Sequence, residues 1–207
     1  MEINILIHGN SDGFNSDFMQ YINNELKAIG KECYGFDFDY ITNGTEPSVG
    51  YEDELSKLRG IIEGFERKGY DKINLIGKSL GGTICLNREI SNDPAVQKIV
   101  IIGFPFILGF PVDLALLKVK PVVAKPGAED MYIKVFNTLD ANKIKIIQGR
   151  DDLLGSNVVL SKLFRRLNTK PEIFYIKNAS HGFKPINDTS TFEDNMEKIT
   201  ELLKVIL

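Results

Sequence analysis

The residues best equipped for chemistry lie together between Lys72 and Gly82, in the order Lys72-Ile73-Asn74-Leu75-Ile76-Gly77-Lys78-Ser79-Leu80-Gly81-Gly82. A β-branched apolar run feeds into Gly77-Lys78-Ser79-Leu80-Gly81 and a helix-compatible segment follows at once. This is G-x-S-x-G between a strand and a helix, the pattern of a nucleophile elbow. So tight a turn forces its serine into a strained backbone conformation. Glycines two residues to either side keep Cβ atoms out of the neighbouring strand and helix. The Ser79 hydroxyl should then stand clear at the carboxyl edge of a sheet, over the start of a helix whose N–H groups favour negative charge. Gly77-Lys78-Ser79 also looks like the tail of a P-loop. That loop needs a glycine where Lys72 stands, so a nucleotide phosphate would lose its cradle.

A serine hydroxyl is a weak nucleophile at neutral pH and needs a base, itself oriented by a third group. The chain has two histidines. His181, in Ala179-Ser180-His181-Gly182-Phe183, follows the last expected strand and can reach the carboxyl edge of the sheet. His8, at the end of the first strand, is expected to hold a loop by hydrogen bonds. The acid should follow a strand between Ser79 and His181. Gln148-Gly149-Arg150-Asp151-Asp152 offers two carboxylates there. Only one of two adjacent carboxylates can face the imidazole, and the other faces solvent or caps the helix ahead through the N–H groups of Leu153 or Leu154. The oxyanion needs backbone donors: Leu80 N–H and, from the loop after the first strand, Asn10.

The elements that must position these groups follow from periodicity. Apolar runs read as strands at Ile3–Ile7, Glu32–Phe38, Lys72–Lys78, Lys98–Ile102, Lys143–Ile147 and Glu172–Ile176. Helical spacing marks Phe14–Ile29, Tyr51–Lys68, Leu80–Ile90, Glu129–Leu139, Asn157–Leu167 and Thr191–Val205. Strands alternating with helices mean βαβ units, a parallel sheet and right-handed crossovers. Residues 103–128 break the rhythm. They are rich in proline and aromatic residues, and Phe104, Phe106 and Phe110 are candidates to line a substrate pocket or lid.

The 207 residues suffice for one domain with a substantial core, taken as 1–207. A net charge of −3 gives no electrostatic reason to expect nucleic acid or an anionic membrane as partner. No apolar run approaches the length of a membrane span. The first residues read as a strand rather than a signal sequence, so the cytoplasm is the expected location. Two cysteines, Cys33 and Cys85, are too few for a disulfide framework, and Cys85 is expected to act as a small buried hydrophobe.

With these residues placed, the chain resembles a small α/β-hydrolase over nearly its full length. The landmarks come in the family's order: His8-Gly9 after a strand, Gly77-Lys78-Ser79-Leu80-Gly81-Gly82, Gly149-Arg150-Asp151-Asp152, and Ser180-His181-Gly182-Phe183. Within the superfamily it is similar to the dienelactone-hydrolase-like group that includes the testis-expressed, NSL-complex-related proteins. Those share the Gly-Lys-Ser elbow with paired glycines and a step like Gly103-Phe104-Pro105. Dienelactone hydrolases proper use cysteine where this chain has Ser79, so lactone specificity is not carried over. The resemblance implies a minimal α/β-hydrolase fold, a three-layer αβα sandwich. Its sheet would be mostly parallel, with about six strands and without the family's leading hairpin. It also implies a Ser79–His181–Asp152 hydrolase of small-molecule esters or thioesters needing no metal or organic cofactor. A peptidase of the same fold, or a fold kept as a non-catalytic binding module, are the alternatives.

Overall fold

Six strands lie side by side in the order β2-β1-β3-β4-β5-β6, every pair parallel. They are β1 (Glu2–Ile7), β2 (Cys33–Phe36), β3 (Lys72–Lys78), β4 (Val96–Ile102), β5 (Ile144–Gly149) and β6 (Glu172–Ile176). This architecture comes from a computed structural model that describes residues 1–106 and 128–207. The helices are α1 (Asp17–Ala28), α2 (Asp39–Asn43), α3 (Glu52–Arg67), α4 (Leu80–Cys85), α5 (Arg88–Ser91), α6 (Ala128–Phe136), α7 (Asn157–Phe164) and α8 (Phe192–Ile206).

Alternation along the strands sends side chains to opposite faces, and two apolar clusters result. On one face Leu6, Ile76, Val100 and Ile147 pack with Met19, Ile22 and Leu26 of α1 and with Met196, Ile199 and Leu203 of α8. On the other, Ile5, Leu75, Ile99 and Ile146 meet Leu58 and Ile62 of α3, Ile84 of α4, Phe136 of α6 and Leu160 of α7. Burial on both faces explains why the four inner strands read as largely apolar runs. The result is the three-layer, all-parallel sheet of the α/β-hydrolase fold.

Chain order reverses direction across the sheet between β1 and β3, the crevice where open α/β sheets carry their sites. Register brings the strand ends level there: Ile7 lies opposite Gly77, and Lys78 opposite Ile102.

The structure departs from the expected elements in two places. The helix expected over Leu80–Ile90 is two short ones, α4 and α5. The backbone leaves helical geometry at Asn87, whose side chain accepts a hydrogen bond from Glu89 N (2.9 Å) and so caps a new helix. The stretch after β2, where neither strand nor helix is expected, holds α2, closed by Gly44 at φ 65°, and a 3-10 turn at Val49–Tyr51. Of the 103–128 segment, residues 107–127 lie outside the described residues.

Candidate active site

Ser79 sits between the last residue of β3 and the first of α4 with φ 51° and ψ −114°, a strained conformation for a residue with a side chain. Its backbone is pinned on both sides. Ser79 N–H donates to Ile102 O (2.9 Å), and Ser79 O accepts from Thr83 N–H (3.1 Å). The flanking glycines are required by close approach. A Cβ at Gly77 would stand 2.6 Å from the Gly81 carbonyl carbon, and one at Gly81 would stand 2.5 Å from both Ile7 O and His8 O.

His181 follows β6 on a loop organised by Asn178, which adopts φ 53°. Asn178 Oδ1 accepts from the N–H groups of Ile186 and Asn187, while its Nδ2 donates to Asn187 O and Ser190 Oγ. Below the loop Phe183 is fully buried, and Asn195 of α8 donates to its carbonyl (3.0 Å). The end of β5 presses on the same loop, since a Cβ at Gly149 would meet Ala179 O at 2.5 Å.

These supports bring three side chains into line. Ser79 Oγ is 2.8 Å from His181 Nε2, and His181 Nδ1 is 2.8 Å from Asp152 Oδ2. An ionised carboxylate only accepts, so Nδ1 carries the proton and Nε2 is free to accept the serine hydrogen. Burial and the nearby Lys78 charge hold the His181 pKa below the ordinary 6.5, against the opposing pull of Asp152. The imidazole is therefore neutral, and able to act as a base, to a lower pH than a free histidine.

The two adjacent aspartates separate cleanly. Asp152 is completely buried and Asp151 is exposed. The hydrogen bond from Leu154 N–H, one of the two cap donors suggested for Asp151, goes instead to Asp152 Oδ1 (2.7 Å). Helix α7 is capped by Ser156, which accepts from Val159 N–H. The reason is reach: a carboxylate whose second oxygen still needs a donor takes the N–H two residues on, as Asx turns do.

Sequence reasoning missed Gln148, a fully buried residue of β5. Its Nε2 donates to Asp152 Oδ2 (2.7 Å) and Gly155 O (2.9 Å), and its Oε1 accepts from Phe104 N–H (2.6 Å). It joins the acid-bearing turn to the strand and to the chain after β4. An uncharged polar residue at the carboxyl end of a buried strand was the available signal.

The remaining expected residues are placed as follows. His8 is fully buried; Nδ1–H donates to Gly9 O (2.6 Å) and Nε2 accepts from Phe38 N–H (3.0 Å), while burial lowers its pKa. Both ring nitrogens are occupied, so it ties the turn after β1 to the chain after β2. Gly9 in that turn faces the elbow: a Cβ there would lie 3.5 Å from Ser79 Cβ. Asn10 follows it, and Leu80 opens α4 on the other side of Ser79. Phe104 and Phe106 are buried, with rings 5.1 Å and 5.2 Å from that of Tyr132 on α6. Phe110 lies outside the described residues. Cys85 is fully buried and its thiol pKa is raised by desolvation. Among the described residues no cluster of His, Cys, Asp and Glu could hold a metal ion, and no helix is long and apolar enough to cross a membrane.

Residues 2–114, more than half of the chain, match the family described as alpha/beta hydrolase domain. The chain belongs to that family. The matched region carries the elbow but ends before Asp152 and His181. A curated relative, the 2-hydroxy-6-oxo-2,4-heptadienoate hydrolase of Pseudomonas putida, is 26% identical over 104 residues, 48% of this chain and 36% of its own. The match thus spans only about a third of that relative's length. Among solved structures, an alpha-beta serine hydrolase homologue from Coxiella burnetii superposes with a TM-score of 0.71 at 16% identity, over 100% of this chain and 85% of that one. A lidless serine hydrolase from Xanthomonas campestris gives 0.69 at 16% identity over 99% and 80%. The monoacylglycerol lipase of Paleococcus ferrophilus gives 0.63 at 18% identity over 99% and 95%. At such identities the likeness is one of fold.

Proposed function

We propose that this alpha/beta hydrolase domain is a serine hydrolase that cleaves carboxylic ester or thioester bonds through an acyl-enzyme. The observation that carries the proposal is the unbroken line from Ser79 Oγ through His181 to buried Asp152, with both spacings 2.8 Å. Ser79 attacks the acyl carbon while His181 Nε2 takes its proton. Asp152 holds the tautomer and stabilises the imidazolium that forms. The proton then goes to the leaving alkoxide or thiolate, and water, deprotonated by His181, releases the acid. The N–H groups of Leu80 and Asn10 hold the oxyanion.

The Gly-Lys-Ser elbow with its paired glycines supports placement near the dienelactone-hydrolase-like group, with Ser79 where dienelactone hydrolases proper have cysteine. The lipase and serine-hydrolase names among the structural neighbours are consistent with an acyl substrate. The domain is taken to span 1–207 and to act in the cytoplasm without metal or organic cofactor.

A fluorophosphonate probe tests the assignment, because it reacts only with an activated serine. The wild-type protein should label and should hydrolyse p-nitrophenyl esters. Ser79→Ala should lose labelling and about 10⁶ in turnover while keeping its fold. Labelling that survives in Ser79→Ala would put the nucleophile elsewhere. A folded wild type that neither labels nor turns over esters would favour a binding module.

A further inference from the structure

We propose that Lys78, the residue before the nucleophile, is a positioning residue that fixes the histidine loop to the elbow and places a cation beside the imidazole. The inference rests on the triad reading above and deepens it. Lys78 Nζ donates to His181 O (2.7 Å), a hydrogen bond between residues 103 positions apart in sequence. The ammonium lies over the ring of Phe18 from α1 and over that of Phe183 from the histidine loop, 5.4 Å from each centroid. Cation–π contact holds a charge in place without neutralising it. The chain after β4 is shaped around the same group: Gly103 has φ 69°, and a Cβ there would lie 2.7 Å from Nζ. One side chain therefore connects the strand that presents Ser79, the loop that presents His181 and the turn that follows β4.

Its electrostatics separate this role from ordinary packing. Nearby negative charge comes from Asp12 in the turn after β1 and from Asp152, yet neither forms an ion pair with the ammonium among the described residues. Burial outweighs both and lowers the Lys78 pKa to about 8. The charged form thus persists below that pH despite its lost solvation, and it disfavours the imidazolium of His181 in the resting site. Asp152 acts on the imidazole in the opposite direction. Burial has the largest effect on the pH at which the base becomes available, and the two charges adjust it in opposite directions.

The test compares wild type with Lys78→Met, which removes hydrogen bond and charge, and Lys78→Arg, which keeps both. Two readouts are taken: NMR titration of His181, easily resolved in a chain with two histidines, and the pH profile of fluorophosphonate labelling. In Lys78→Met the His181 midpoint should move upward, and the acid limb of labelling should move with it. The plateau labelling rate should fall by up to about 10²-fold as the loop loses its anchor. Lys78→Arg should restore the wild-type midpoint. Should Lys78→Met fail to fold, wild type alone still decides the matter. The His181 resonance should show a second inflection as Lys78 loses its proton, at or below the ordinary lysine value of 10.5, and no second inflection up to that pH would overturn the proposal. Unchanged midpoint and labelling in a folded Lys78→Met would do the same. Absence of labelling in wild type would instead refute the triad reading, because the NMR shift does not depend on turnover.

Discussion

Asp151 and Asp152 carry the same group one residue apart, and their surroundings make them chemically unlike. Asp152 receives donors from His181, Gln148 and Leu154, whereas Asp151 faces water. Replacing Asp152 by Asn leaves the shape but allows the wrong imidazole tautomer, which should cut turnover by about 10⁴. Asp151→Asn should stay within about an order of magnitude of wild type. Initial rates on one p-nitrophenyl ester, measured for both variants, separate the two residues; the reverse pattern would move the acid to Asp151. Types and order along the chain made Ser79, His181 and the pair of aspartates legible in the sequence. The roles of Gln148 and Lys78 were not. Both act through long side chains reaching across the strand ends, and the direction of such a reach depends on rotamers and tertiary neighbours rather than on local pattern.

At the scale of elements, the glycines of the site motifs do different work. Gly81 lies where α4 starts beneath the end of β1, and a methyl there would press on two backbone carbonyl oxygens that cannot rotate away. Gly182, beside His181, has nothing within 4 Å of where its Cβ would be. Gly81→Ala should therefore cost about 1–3 kcal/mol and push the elbow away from Gly9. Gly182→Ala should leave both stability and labelling near wild type. Urea melts and probe labelling of the two variants check this, and a Gly81→Ala variant as stable and active as Gly182→Ala would mean that the helix start tolerates more movement than its contacts suggest. Element type and order were readable because the four inner strands are largely buried on both faces and the long helices carry a clear apolar stripe. Boundaries were less so. The break between α4 and α5 depends on the Asn87 side chain winning a backbone N–H, a local contest that apolar periodicity does not register.

For the whole molecule, the two histidines make stability depend on pH through groups in different places. His8 is buried with both ring nitrogens bonded, and His181 is largely enclosed in the site; both have pKa values lowered chiefly by desolvation. A histidine with a lowered folded pKa binds its proton more readily in the unfolded chain, so unfolding takes up protons at mildly acidic pH. The stability this represents is fully present above the unfolded pKa of 6.5 and is lost as pH falls from there toward the folded values. Asp71 and Asp194 have lowered pKa values too, but their loss begins only as pH approaches 3.8, which leaves the two windows distinct. Each histidine should add up to about 1.4 kcal/mol per pH unit to the slope of unfolding free energy. Urea unfolding from pH 7.5 down to 5 should therefore show a decline that steepens below 6.5. His8→Gln, though less stable at every pH through loss of the tie between Gly9 and Phe38, should show a shallower decline, since only His181 remains to titrate. An undiminished slope in His8→Gln would mean that His8 is protonated as easily in the fold as out of it, contrary to its two hydrogen bonds.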